Sequence, residues 1–346
     1  MEKKNILFGY RGKLLCSFDF LRDMAIIDYR EGPLRITPEL LKQSNPHILA
    51  GIGFQKVAGP YAVTKELLEA CEHLEFIQLF GMGYDNIDLV AATERGVLVA
   101  NVGGVGISSQ SVAELAWAHI LALARRMAQV DAGMRSGELL PAGRFGAHEE
   151  PDLSYYRGGP VLNGKTLGVI GLGKIGKRSA LIGRLGFNMR VLAYSPHVEP
   201  TDAEMIGVQL VDLDRLLKES DVIAVHASLS AHNAGLIGER EFGLMKRTAM
   251  IVNVARGAII DMAALAKALE EGRIYGAGID AWPTEPPDTE EAWLQSLLKS
   301  DRTSLTHHVG SLQEALIERQ KAGFENMARF CRGEKPFWVV NPANSR

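Results

Sequence analysis

Long apolar runs, an excess of either charge and cysteine are all scarce in this 346-residue chain. No stretch reaches the roughly 18 consecutive apolar residues of a membrane-spanning helix. The start, Met1-Glu2-Lys3-Lys4-Asn5, runs into a strand-like segment rather than a secretory leader. Lys and Arg number 38 against 41 Asp and Glu, for a formal net charge of −3, and they are scattered along the chain. That removes the electrostatic footprint of a nucleic-acid binder. The three cysteines, Cys16, Cys71 and Cys331, are far apart and stand in no metal-ligand spacing with histidine, so neither disulfides nor a metal site is expected. No internal repeat or low-complexity tract occurs. With 47% hydrophobic and 23% charged residues, the composition is that of a soluble, cytoplasmic protein long enough for two domains with full cores.

What is present is alternation. Up to about Asn101, short apolar runs (His47 to Ile52, Phe76 to Phe80, Val97 to Ala100) alternate with helical patterns (Thr64 to Cys71, Ile87 to Glu94). A second alternating series runs from Thr166 to Thr306. Such alternation predicts α/β units with parallel sheets and crossover helices. Between the two series, Ser111 to Met134 has apolar residues at three- and four-residue spacing with no Gly or Pro before Gly133, and is expected to form one long helix. The polar stretch from Arg135 to Gly164 is expected to be a surface connection. The tail from Gln313 to Arg332 is again helical in pattern and is expected to cross back to the first domain.

The second series opens on Gly171-Leu172-Gly173-Lys174-Ile175-Gly176, preceded by the apolar strand Thr166 to Ile170 and followed by a helical run from Lys177 to Leu185. Strand, glycine turn and helix in that order form a dinucleotide-binding fingerprint. Gly171 permits the tight turn, Gly173 lets backbone amides approach a pyrophosphate, and Gly176 lets helix and strand pack closely. The helix directs its free amides at the phosphates. About 20 residues on, where an acid ordinarily holds the adenosine ribose, the strand Met189 to Tyr194 ends at Ser195. Serine carries no charge to repel a 2′-phosphate, so NAD and NADP are both admitted. Pro196 follows, and His197 is expected to be an exposed loop residue.

Three later segments each place a polar group just after an apolar strand, on the edge where open α/β sheets bind ligands. These groups are Arg256, Glu285 and His308. Singly each has a bland explanation, as an ion-pair residue, a solvated acid and a loop histidine. Together they match the needs of hydride transfer at a carbinol carbon. A guanidinium can hold a carboxylate by two parallel bonds, an imidazole can exchange the hydroxyl proton, and a carboxylate can fix the imidazole tautomer.

On these residues the chain resembles the D-isomer-specific 2-hydroxyacid dehydrogenases, the family of phosphoglycerate, hydroxypyruvate/glyoxylate and D-lactate dehydrogenases. The resemblance rests on Gly83-Tyr84-Asp85-Asn86-Ile87-Asp88, Ser111-Val112-Ala113-Glu114-Leu115, the glycine turn, Asn253-Val254-Ala255-Arg256-Gly257, Asp280-Ala281-Trp282-Pro283-Thr284-Glu285-Pro286 and Thr306-His307-His308-Val309-Gly310-Ser311. It implies a Rossmann nucleotide domain over 111–312 inserted into a flavodoxin-like substrate domain of 1–110 and 313–346. It implies an NAD(P)-dependent 2-keto acid reductase in which Arg256 orients substrate, His308 is the acid/base and Glu285 its partner.

By the same resemblance, Met82 and Gly83 offer amides to the substrate carboxylate, and Asp280 sits near the nicotinamide. Ser195, Ala227, Ser228, Asn233, Val254 and Ala255 line the cofactor with Gly171, Gly173, Lys174, Ile175 and Gly176, and the protein is a homodimer through the helix at Ser111 to Met134. Side-chain selectivity is expected around Tyr10, Arg11, Phe54, Phe80, Met82 and Val105. His307 and Ser228 stand where the family has proline, Ser195 where it has an acid, and Val102 to Gly106 departs from its Pro-containing loop. Relatives that oxidise formate carry glutamine at the Glu285 position, and those that oxidise phosphite carry lysine at the Met82 position. Dinucleotide-sensing co-repressors of the same fold keep the Arg, Glu and His, and remain the alternative from another functional class.

Overall fold

The computed structural model describes residues 3–10, 14–32, 36–51, 63–136, 159–230 and 232–341. Arg11, Phe54 and most of the 135–164 connection lie outside them. In chain order the strands are β1 (Lys4–Tyr10), β2 (Ala25–Glu31), β3 (Ile48–Ala50), β4 (Phe76–Gln78), β5 (Leu98–Ala100), β6 (Thr166–Ile170), β7 (Arg190–Tyr194), β8 (Val208–Leu210), β9 (Val222–Val225), β10 (Met250–Asn253), β11 (Gly276–Ile279) and β12 (Thr303–Leu305). The helices are α1 (Pro38–Ser44), α2 (Lys65–Glu69), α3 (Leu89–Glu94), α4 (Gly106–Arg125), α5 (Met127–Ser136), α6 (Lys174–Leu181), α7 (Pro200–Glu204), α8 (Leu213–Glu219), α9 (Glu239–Leu244), α10 (Met262–Glu270), α11 (Ala292–Lys299) and α12 (Gln313–Cys331). Met1–Ser109 with Ser311–Arg346 forms one compact unit, and Gln110–Gly310 the other. Among the described residues no helix is long and apolar enough to cross a membrane.

The first unit carries a parallel sheet in the order β2-β1-β3-β4-β5. Alternate residues of its strands point to opposite faces, and both faces are apolar, as parallel sheets require. Leu7, Leu49, Ile77 and Val99 pack with Leu41, Leu68 and Ala91 of α1, α2 and α3. Ile6, Phe8, Ile48 and Phe76 pack with Phe324, Met327 and Ala328 of α12. The last segment also finishes the sheet edge. Asn341 Oδ1 accepts from Val99 N at 2.8 Å, and its Nδ2 donates to Val97 O at 2.8 Å. Local signals set the helix ends: α1 opens on Thr37, whose hydroxyl accepts from Leu40 N at 3.2 Å, has Pro38 in its first turn, and closes at Asn45 with φ of 36°.

The second unit carries seven parallel strands in the order β12-β11-β10-β9-β6-β7-β8. Every residue of β6, β9, β10 and β11 is buried. The chain leaves β6 in one direction and returns to its other side at β9, so the order reverses there. The carboxyl ends of β6 and β9 therefore form a topological switch point, where such sheets bind ligands. The helix expected over Ser111 to Met134 is two helices. Arg126 adopts φ of 51° between α4 and α5, and its Nη2 pairs with Asp301 Oδ2 at 2.9 Å. An arginine interior to a helical pattern gives no sequence signal for that break, which tertiary contacts impose.

Candidate active site

The glycine turn follows β6 and opens α6. Gly171 has φ of 93°, and a Cβ there would stand 2.5 Å from Ala227 N. A Cβ on Gly176 would stand 2.1 Å from Gly171 O. Both positions are therefore closed to any side chain. Gly173 differs, because a Cβ there would meet nothing within 4 Å. Its backbone faces open space at the N-terminus of α6, with Lys174 and Ile175 as the first helical residues. The cradle left by Gly173 beside a helix N-terminus fits a pyrophosphate. Ser195 Oγ accepts from Leu172 N at 3.1 Å, so the serine braces the turn. Ala227 lies against Gly171, and Asn233 closes the loop beyond it, accepting from Ser230 N at 2.7 Å and donating to Ser228 O at 2.8 Å. His226, also at this edge, is buried, and neither ring nitrogen has a hydrogen-bond partner. Burial pulls its pKa down to about 4.

β10 leads to Asn253, which shapes the following turn: its Oδ1 accepts from Ala255 N at 3.0 Å and its Nδ2 donates to Arg256 O at 2.9 Å. Val254 and Ala255 are buried, while Arg256 is half-buried with Nη1 donating to Ala255 O at 2.8 Å. A Cβ on Gly257 would stand 2.0 Å from Trp282 C. The turn carrying Arg256 is thereby pressed against the segment leading to Glu285.

His308 Nδ1 lies 2.7 Å from each carboxylate oxygen of Glu285. Burial alone would raise the Glu285 carboxyl. The His308 hydrogen bond and the charges of His308 and Arg256 outweigh that and hold it below the usual carboxylate range. Arg256, Glu285 and His308 are thus brought together, from three strand ends separated in sequence. His307 is exposed, and it is His308 that reaches Glu285.

The His308 backbone adopts φ of 62°, a left-handed conformation that is strained for a non-glycine residue. Asp280, at the end of β11, holds it there. Its carbonyl accepts from His308 N at 2.8 Å, and its carboxylate accepts from Val309 N at 2.8 Å and Gly310 N at 3.2 Å. Thr306 Oγ1 donates to the same carboxylate at 2.6 Å. Behind Thr306, the buried His119 of α4 lies 3.1 Å from that hydroxyl through Nε2 and 2.8 Å from Ser304 Oγ through Nδ1. Since Thr306 spends its proton on Asp280, Nε2–H donates and Nδ1 accepts. Burial lowers the His119 pKa, which keeps that ring neutral. Sequence reasoning missed His119 and His226. The only signal for His119 was its place on the apolar face of α4.

Met82 and Gly83 lie in the first unit, in the turn after β4. Asn101 Nδ2 donates to Met82 O at 2.7 Å and Asn101 Oδ1 accepts from Gly103 N at 2.9 Å, so one asparagine ties the turns that follow β4 and β5.

Comparison with known proteins follows the same lines. Residues 117–310 match the family model of the D-isomer specific 2-hydroxyacid dehydrogenase NAD binding domain. A glyoxylate reductase of Thermococcus litoralis is 41% identical over 81% of this chain and 80% of its own length. A D-3-phosphoglycerate dehydrogenase of Methanocaldococcus jannaschii is 39% identical over 82% of this chain and 50% of its own. Among solved structures, a glyoxylate reductase from Paecilomyes thermophila superposes with a TM-score of 0.84 at 27% identity, covering 98% of this chain and 99% of that one. A D-lactate dehydrogenase from Aquifex aeolicus, solved with NAD and lactic acid, gives a TM-score of 0.79 at 26% identity over 95% of this chain and 96% of the other.

Proposed function

Because the chain belongs to the D-isomer-specific 2-hydroxyacid dehydrogenase family, oxidoreductases acting on CH–OH groups with NAD or NADP, we propose that it reversibly reduces a small 2-keto acid to the D-2-hydroxy acid. The observation that carries this is the His308–Glu285 pair, 2.7 Å apart and joined by Arg256 at neighbouring strand ends of one sheet. The dinucleotide is held by Gly171, Gly173, Lys174, Ile175 and Gly176, with Ser195, Ala227, Ser228, Asn233, Val254, Ala255 and Asp280 along its length. Bound there, the reduced nicotinamide supplies the hydride.

The chain's own residues do the rest. Arg256 holds the keto-acid carboxylate and polarises the carbonyl through its planar fork of donors. Met82 and Gly83, in the first unit, offer backbone amides to the substrate. His308 Nε2 gives its proton to the carbonyl oxygen. Glu285, ionised below the usual carboxylate range, accepts from Nδ1–H and stabilises the imidazolium that carries that proton. In the oxidative direction the same nitrogen takes the proton back.

The reading includes a cytoplasmic homodimer formed through α4 and α5, on which Leu121, Met127 and Met134 are exposed at 38%, 53% and 41%. Light scattering that finds a monomer at micromolar concentration removes that part. The activity is tested by following NADH and NADPH consumption with glyoxylate, hydroxypyruvate, pyruvate and branched or aromatic 2-keto acids. Tight cofactor binding with no turnover of any of them would replace the reductase by a dinucleotide sensor.

A further inference from the structure

One positive charge in the first unit has no place in the scheme above. Arg319, on α12, is half-buried, and its Nη1 donates to Ser311 Oγ. Its Nε is sealed from solvent without a hydrogen-bond partner. No carboxylate pairs with it among the described residues. Burial pulls the guanidinium below the usual arginine range. A cation taken out of water with no counter-charge is unfavourable, so its placement calls for an anion from outside the chain.

The surroundings say where that anion arrives. The first unit's strand order reverses between β1 and β3, which puts its ligand-binding edge at their carboxyl ends. Tyr10 is the last residue of β1, and its ring meets Phe80, beyond the end of β4, edge-on at 5.6 Å. Gly81 follows. A Cβ on Gly81 would fit without a clash, with Arg319 Nη2 at 3.9 Å and Gly83 N at 4.0 Å, ordinary contact distances, as its nearest atoms. The guanidinium and the Gly83 backbone nitrogen thus both border Gly81 on the ligand-binding edge of the sheet. In the reaction proposed above, the keto-acid carboxylate is already matched by Arg256. Arg319 is the surplus cation.

We infer that Arg319 recognises a second anionic group on the substrate, so that the preferred substrates are 2-keto acids carrying a carboxylate or phosphate at the end away from the keto acid. Ser311 fixes the fork through Nη1, and Nη2 meets the incoming oxyanion across the space left by Gly81. This inference rests on the keto-acid reductase reading, and its test separates the two.

Matched pairs measure it: pyruvate against oxaloacetate for a second carboxylate, and hydroxypyruvate against phosphohydroxypyruvate for a phosphate. In the wild type, kcat/KM for the dianionic member of at least one pair is expected to exceed that of its partner by on the order of tenfold or more. In Arg319→Met that ratio falls to about one. In Arg319→Lys, which keeps the charge but loses the fork, an intermediate ratio remains. Because each ratio is taken within one protein preparation, partial loss of folded enzyme does not alter it. A wild-type ratio near one in both pairs overturns the inference. So does an Arg319→Met variant that loses both members of a pair equally, which would assign the guanidinium to the common carboxylate or to the fold. Failure of every keto acid to turn over overturns the reductase reading and this inference with it, whereas turnover without charge preference overturns the inference alone.

Discussion

Asp280 grips His308 through the backbone, its carbonyl 2.8 Å from the His308 amide, while its carboxylate collects the next two amides and the Thr306 hydroxyl. The left-handed turn that presents the imidazole to Glu285 is therefore held by one buried acid, and that acid is oriented in turn by Thr306 and His119.

Replacing His308 by Gln should lower kcat for keto-acid reduction by roughly 10²- to 10⁴-fold, the usual worth of a positioned acid/base group. NADH affinity, followed by nicotinamide fluorescence, should stay within about threefold, since a tenfold change already needs 1.4 kcal/mol. His307→Gln should leave turnover close to that of the wild type. If the two variants exchange behaviour, the proton donor has been assigned to the wrong residue.

Thr306→Val removes a donor from a buried carboxylate and should destabilise the protein by about 1–3 kcal/mol in urea unfolding. His119→Leu should act in the same direction with a greater loss in kcat than in KM, because Thr306 loses the donor that orients it. His119→Gln, whose amide nitrogen can replace Nε2–H, should recover most of the loss. Equal behaviour of the Leu and Gln variants would mean that His119 acts through packing alone.

Acid should weaken the fold in two windows. His226 is neutral in the folded protein with its pKa lowered from 6.5 to about 4, so the unfolded chain binds more protons between those values, and stability falls as pH drops through that range. The difference amounts to about 3 kcal/mol at pH 4 relative to pH 7. Glu285 acts lower. Its folded pKa lies below the ordinary 4.5, so its contribution is present above that value and is lost as pH falls through the lowered one. Urea unfolding of His226→Leu at both pH values should show the upper window flattened. A slope unchanged from wild type would place the titration elsewhere.

Ser195→Asp should shift cofactor preference toward NADH, by setting a negative charge where a 2′-phosphate would lie. We expect kcat/KM with NADPH to fall by about tenfold or more relative to NADH. A parallel loss with both cofactors would instead reflect damage to the glycine turn, which Ser195 braces through Leu172.

The fold was legible in the sequence where a pattern had one physical meaning. Thr166 to Ile170 is uniformly apolar and ends in glycines, and it is a fully buried strand over those same residues. Arg256, Glu285 and His308 could be found because each follows a strand, fully buried before Arg256 and Glu285 and half-buried before His308. Legibility failed where long-range contacts decide: Arg126 breaks a helix whose periodicity continues past it. Arg319 looks like an ordinary charge in a polar helix, and the distant Tyr10 and Gly81 make it unusual. His119 and Thr306 meet across 187 residues of chain, a pairing that no local spacing encodes.

The discontinuity of the first unit has a consequence for the order in which the protein takes shape during synthesis. Gln110–Gly310 is one unbroken segment, so every strand of its sheet has been synthesised before Ser311 is added. The five-stranded sheet is complete in strands far earlier, yet one of its faces stays uncovered until Phe324, Met327 and Ala328 arrive on α12. The unit begun before the inserted one is thus closed only after it, and until α12 emerges it exposes the aromatic face around Phe8 and Phe76, the surface on which a nascent-chain chaperone would be expected to act.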